Sequence, residues 1–436
     1  MRRIVADKWI KRFAGIFSAK VFSYSLGLGL VPVFLALMPP EEYGLYALLA
    51  MLTTSLALVL GMGQSGNFLH CHAMGERRQA FIDSALTLAG GFIIVHAVVL
   101  VVVAYASGDG FGFYSLFFQR SLPVEFVWIV ALLPSVLFLR QATNSLLSIH
   151  ENYRVFNYFT LCNVSGIALL SIIAICVFPE ATALARLVAA LIADFSTTLL
   201  FFCFVRRKNL AEPFTCSPDL LKKCFYFGVP AFFSGVLGVV GSMLPATAIE
   251  NFFDYTEVAR YNLNLRVLAP VTLIVTSCQT ILFAQIYKMG NESVVAKRYL
   301  QVGGLAIVAA LLLSAVAGVL FHIIASGQIP MIPSDYASDL SVTLALAGLL
   351  AARGLTAILN NHARKLHLQW SAFFISAIVL TGQGVVLFWY ASSGQLVEGL
   401  MYFALGEWFR VAILFAFLFY LRHFRIFAKV RRVLVA

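Results

Sequence analysis

The chain has 436 residues, 61% of them hydrophobic and only 12% charged, with a mean hydropathy of +0.89. A soluble domain is nearer half apolar and a quarter charged, so there is too little polar surface here to cover a globule in water. The net charge of +11 is no sign of nucleic-acid binding, because the basic residues are sorted by position between membrane-length apolar runs.

Runs of about 20 apolar residues, the length that spans a bilayer, recur along the whole chain. In chain order they lie near 14–38, 44–70, 81–106, 123–147, 157–178, 184–205, 224–248, 263–287, 300–326, 338–358, 370–391 and 397–420. Lipid does not tolerate unpaired backbone groups, so each run is expected to be a helix. The runs are too uniformly apolar for barrel strands, which alternate. The fold class expected is all-α, a polytopic membrane protein of about 12 transmembrane helices.

The first run follows MRRIVADKWIKRFAG and ends in LMPPEE. A cleaved signal peptide would have a shorter apolar run and a small-x-small site, so this run is read as an uncleaved span. The stretch LMPPEEYGLYALL, residues 37–49, is the first outer turn. Its prolines end span 1, and Gly44 and Tyr46 open span 2.

With the N-terminus in the cytoplasm, the inner segments hold 23 of the 31 basic residues, and the outer ones hold only Arg120 and Arg260. Acidic residues collect outside, among them Glu41, Glu42, Glu180, Asp254 and Glu257. This asymmetry predicts an N-in/C-in topology with a basic cytoplasmic face that favours anionic membrane lipids. No cysteine falls in a predicted outer loop, so no disulfide framework is expected.

The longest connection, Arg206 to Lys223, is polar, basic and carries Pro213 and Pro218. It divides the chain into an N-terminal six-helix lobe (1–208), a cytoplasmic linker (209–223) and a C-terminal six-helix lobe (224–436). The two halves resemble each other. A shift of 215 residues places Glu42 on Glu257, Tyr46 on Tyr261, Leu48 on Leu263 and Gln64 on Gln279. A shift of 213 places Arg140, Thr143 and Leu146 of span 4 on Arg353, Thr356 and Leu359 of span 10, one helical face on another. Both halves start inside with an even number of spans, so the repeat is parallel. Two such lobes around a central cavity is a transporter plan.

Ionisable residues inside spans are costly in hydrocarbon and mark function. The cations are Lys20, Arg140, Arg186, Arg266, Arg353 and Arg410, and the deep acids are Asp194 and Glu407. Arg186 and Arg266 lie within about a turn of the outer surface and are read as snorkelling, although Arg266 is kept as a candidate. Asp83 and Glu125 are read as interfacial. Arg410 and Glu407, three residues apart, share a face and have a local ion pair open to them. Asp194 is either a proton or cation site or the neutraliser of an arginine. The candidates for a cationic substrate cavity are Lys20, Arg140, Arg353, Arg410 and Arg266, and those for ion coupling are Asp194 and Glu407. The excess of cations predicts a cargo with anionic groups, and arginine forks suit phosphate oxygens.

Other motifs carry less. His70, Cys71 and His72 sit at an inner helix end, but i, i+2 histidines point to different faces, so no metal site is expected. Gly27-Leu28-Gly29 lacks the strand-then-helix setting of a nucleotide loop. There is no Ser/His/Asp arrangement and no Walker motif, so neither an enzyme nor an organic cofactor is expected.

The PPEEYGLYALLAML stretch, with Pro40, Tyr43, Gly44 and Tyr46, followed by a span ending in LVLGMGQSG, resembles bacterial polysaccharide-transport proteins. These are the Wzx-type flippases of O-antigen and related lipid-linked oligosaccharides, in the multidrug/oligosaccharidyl-lipid/polysaccharide exporter superfamily. In the second half, Ala259 stands where the first half has Gly44. The resemblance implies a flippase in the bacterial cytoplasmic (inner) membrane that moves an undecaprenyl-diphosphate-linked oligosaccharide unit by alternating access. A polysaccharide polymerase or chain-length machinery is the expected partner. The alternative on the same fold is a multidrug or organic-cation antiporter, which would favour an acidic cavity.

Overall fold

The computed structural model describes residues 18, 20–61, 78–107, 125–149, 153–209, 216–268, 312, 316, 319, 340–365 and 368–423. The described residues include eleven α-helices and one short 3-10 turn, Pro179–Ala181, with no strand among them. In chain order the helices are α1 (Lys20–Leu37), α2 (Pro40–Leu60), α3 (Arg78–Ser107), α4 (Glu125–Ile149), α5 (Tyr153–Val177) and α6 (Thr182–Asn209). Then follow α7 (Pro218–Phe252), α8 (Tyr255–Val267), α9 (Leu340–Lys365), α10 (Gln369–Ser392) and α11 (Leu396–His423).

All but α8 are long and apolar enough to cross a membrane, ten helices in all. This is a multi-pass membrane protein. All but three positions of the expected span at 300–326, and most of that at 263–287, lie outside the described residues, as do His70, Cys71 and His72. Side chains on one face of several helices are left uncovered, among them Ile94 and Val95 on α3, and Ile378, Val385 and Trp389 on α10. In water such a surface would be a liability, but in lipid it is the solvated face.

The first turn differs from its expected form. Helix α1 closes with Met38 N–H donating to Phe34 O, and α2 opens at Pro40 rather than at Gly44. Proline at the first helical position costs nothing, since its missing N–H would have no partner there. Glu41 and Glu42 then fall in the positive first turn of α2. Glu42 also reaches α6, where its Oε2 accepts from Ala183 N at 2.9 Å. One carboxylate thus serves the N-terminal ends of two helices.

Helix α8 opens at Tyr255, 215 positions after Pro40, so the helix starts keep the register of the sequence repeat. Its cap is different. Asp254 accepts from Glu257 N at 2.8 Å, and Glu257, the counterpart of Glu42, pairs with Arg260 on its own helix.

Helix α6 packs on α4 and α5, and α11 packs on α9 and α10, with α7 also against α10. The two sets meet where α2 lies against α8 and α7, and where α3 lies against the start of α7. The main core joins both sets: Tyr43, Leu48 and Leu52 share it with Val258, Ala259, Tyr261 and Leu263. A second cluster brings Phe81 and Ile82 of α3 against Leu220 and Cys224 of α7.

Gly44 sets the closeness of the α2–α8 contact. A Cβ there would collide with the Tyr255 backbone carbonyl, which cannot rotate away. Gly44→Ala is therefore expected to lower stability by about 1–3 kcal/mol, the usual cost of overpacking. Gly27→Ala, where a Cβ meets nothing, is the control. Thermal unfolding of the two purified variants in detergent checks this; equal midpoints would mean that α2 and α8 separate at no cost.

Candidate functional site

The buried charges gather in three places. In the first, α4 presents Arg140 to α6, and its Nη1 lies 2.8 Å from Asp194 Oδ1. Asn163 of α5 donates from Nδ2 to the same Oδ1 at 2.7 Å and to Thr197 Oγ1 at 2.8 Å. The Thr197 hydroxyl in turn donates to Ala193 O at 2.6 Å. Asp194 is only 2% exposed, so it depends on these donors for the solvation that water would have supplied. One cation faces one anion, and the cluster is neutral.

In the second place, α9 presents Arg353 to α11. Its Nε lies 3.7 Å from Glu407 Oε1, while Arg410 Nη1 approaches the same oxygen at 3.4 Å. Arg353 Nη2 also donates to Gly241 O on α7 at 2.5 Å. That carbonyl is free because Pro245, four residues on, has no N–H to offer it. The helix defect in α7 is thereby filled by a side chain from α9. Glu407 Oε2 and Arg410 Nε are buried without a hydrogen-bond partner among the described residues. Two cations share one acid, so this cluster carries an excess positive charge.

The two clusters are copies. The shift of 213 that relates Arg140 to Arg353 also carries Asp194 onto Glu407, Asn163 onto Ser376 and Thr197 onto Arg410. Thr143 and Thr356, which match at the same shift, are both buried. The sequence showed the arginine match but not its acidic partner. Continuing the same shift from span 4 into span 6 would have found it. Ser376 is too short to replace Asn163, and its buried hydroxyl has no partner among the described residues.

In the third place, Arg186 of α6 is buried against Phe34, Tyr43 and Tyr46, with Arg266 of α8 beside the same two tyrosines. Snorkelling is therefore not what Arg186 does; aromatic faces hold it inside. The Asp83 side chain is fully buried near the start of α3. The Glu125 side chain lies outside the described residues. Lys20 lies at the start of α1.

A family model described as polysaccharide biosynthesis protein matches residues 10–289. The chain belongs to that family. Among curated proteins, none matches this polysaccharide biosynthesis family member in sequence. Its fold is shared with solved transporters at low identity. The Vibrio cholerae MATE transporter VcmN is 16% identical, with a TM-score of 0.68 over 97% of this chain and 99% of that one. Lipid II flippase MurJ, in an inward closed conformation, is 17% identical, with a TM-score of 0.65 over 95% of this chain and 89% of that one. A MATE protein in a straight conformation gives 14% and 0.64, over 94% of each chain. At these identities the likeness is one of fold alone, shared with MATE transporters and with the flippase MurJ.

The neutral cluster makes an asymmetric prediction. Arg140→Ala leaves the buried Asp194 carboxylate without its counter-charge, at an expected cost of about 3 kcal/mol. Asp194→Ala leaves Arg140, whose side chain is 29% exposed, able to reach water, and is expected to cost less. Midpoints of denaturant unfolding for the two variants in detergent decide it; a milder effect from Arg140→Ala would contradict the pairing.

Proposed function

We propose that this family member is a flippase, moving a lipid-linked anionic oligosaccharide unit across the bacterial cytoplasmic membrane for surface polysaccharide synthesis. The observation that carries this reading is the second cluster. Two arginines around one buried carboxylate leave a positive charge unanswered in a low-dielectric setting, where its field is magnified. The polysaccharide biosynthesis family supplies the class of cargo, and an undecaprenyl-diphosphate head supplies the matching charge.

In this reading Arg353 and Arg410 meet the diphosphate, and Arg140, Lys20 and Arg266 add to the positive field along its path. Glu407 is the group whose partners change when the anion arrives, because phosphate oxygens compete with it for the same guanidiniums. Asp194 keeps Arg140 in place and is the first-half candidate for coupling to an ion. The moving parts are the lobes 1–208 and 224–436, joined by 209–223 and rocking in alternating access, while the lipid tail stays in the bilayer. The protein binds and moves its cargo without making or breaking a bond in it.

The MATE likeness keeps an organic-cation antiporter as the competing reading of the fold. Charge argues against it, since Asp194 and Glu407 are both already engaged by arginines. Arg410→Thr gives the second cluster the composition of the first at that position. It removes the excess charge without leaving the acid unpaired, so the fold should be kept. Translocation of lipid-linked units into the outer leaflet should fall at least tenfold, with the units accumulating inside. Measured flipping at the parental rate would show that the cluster does not read the cargo's charge. Proteoliposomes that expel ethidium instead, and ignore lipid-linked glycans, would favour the antiporter.

A further inference from the structure

Helix α5 has two unlike faces. On one, Asn163 turns inward onto Asp194. On the other, Tyr158 and Leu169 are uncovered and meet lipid. On that outer side α5 runs beside α1. The two helices touch at the Val31–Leu37 end of α1, and a groove lies between them toward the other end. Its volume is about 420 Å³, and it is lined by Ser18, Phe22, Asn157, Leu161, Cys162 and Ser165. Asn157, Leu161 and Ser165 recur at helical spacing, so they form one stripe along about 12 Å of α5. Three residues before Asn157, the same stripe begins with Arg154, exposed at the start of α5. With the N-terminus in the cytoplasm, as the basic residues predict, this is the inner-leaflet end.

These parts match the build of an anionic lipid. A cation stands where headgroups lie, and an apolar track leads from it into the hydrocarbon. The floor of the track narrows the choice of lipid. Ser18, Cys162 and Ser165 are short and lie between the larger Phe22 and Leu161. Short residues leave side room that a straight acyl chain leaves empty and a methyl-branched chain fills, gaining contacts. The track also shares α5 with the Arg140–Asp194 pair. A lipid lying in it keeps its tail outside the helix whose inner face meets the charges.

We propose that the groove between α1 and α5 holds the first part of a polyprenyl chain, with Arg154 at its mouth drawing the phosphate end. This rests on the reading of the cargo as a lipid-linked unit, and it adds where the tail is held while the head crosses between the lobes. The tail needs no enclosed channel, because Phe22, Cys162 and Ser165 are exposed along the groove and leave it open to the bilayer.

A photoactivatable prenyl phosphate, added to the full-length protein in nanodiscs of phosphatidylethanolamine and phosphatidylglycerol, tests this by mapping where it attaches. Attachment is expected within 18–22 and 157–165, competed by undecaprenyl phosphate but not by added phosphatidylglycerol. Leu161→Trp and Ser165→Trp fill the groove from its lipid side, so unfolding midpoints should stay at the parental value while attachment falls at least tenfold. Leu169→Trp, one turn beyond the groove, should leave attachment unchanged. Arg154→Gln should weaken attachment of the phosphate probe several-fold and leave that of a neutral prenol probe as it is. Attachment spread evenly over the lipid-facing helices, parental attachment in both tryptophan variants, equal competition by phosphatidylglycerol, or indifference of the phosphate probe to Arg154→Gln would overturn the site. Glycan flipping without attachment in the groove would sink the site alone. Specific attachment in a protein that flips no lipid-linked glycan would count against the cargo reading and leave the site standing.

Discussion

A charged side chain in hydrocarbon has no water to solvate it, so it needs a counter-charge or a polar neighbour on the helix beside it. That requirement organises the buried part of this protein. Arg140 and Arg353 each project from one helix toward an acid on a helix packed against it, Asp194 in the first half and Glu407 in the second. These bridges tie α4 to α6 and α9 to α11, while Asn163 draws α5 into the first and Gly241 draws α7 into the second. The same physics that makes such pairs expensive also makes them specific: a helix rotated by one residue would leave a charge stranded.

The two bridges descend from one pattern, yet they differ where it matters for chemistry. Thr197 in the first copy only completes a chain of hydrogen bonds, whereas Arg410 in its place brings a second guanidinium to Glu407. The first copy is saturated and neutral, and the second is under-satisfied and positive. A structural pair has every reason to be saturated. The second copy instead keeps Glu407 Oε2 and Arg410 Nε without a hydrogen-bond partner among the described residues, which is what the proposed exchange with an incoming anion requires. Pro245 takes part by freeing the carbonyl that anchors Arg353.

The contact between the halves shows the same divergence. Glu42 and Glu257 occupy equivalent positions at the starts of α2 and α8, but Glu42 caps α6 while Glu257 pairs within its own helix. Gly44 allows the Tyr255 backbone to approach closely, and Ala259, its counterpart, is fully buried in the shared core. A symmetric sequence repeat thus builds an asymmetric junction. Arg186 and Arg266 sit at that junction, where a change in the spacing of the halves changes the distance between like charges.

The sequence by itself determined the class of protein, since span length and composition follow from the thickness of the bilayer and not from packing. It also determined the repeat register, visible in Glu42 and Glu257, and the identities of the intramembrane charges. It left open which charges meet. Asp194 lies 54 positions from Arg140, and Glu407 lies 54 from Arg353, distances across which periodicity says nothing. It misplaced Arg186, because nearness to a helix end looks the same whether the side chain snorkels to water or turns inward onto Phe34 and Tyr46. Only the packing of α2 against α6 and α8 decided that, since the favourable place for a guanidinium depends on which rings and carboxylates other helices bring within a few ångströms.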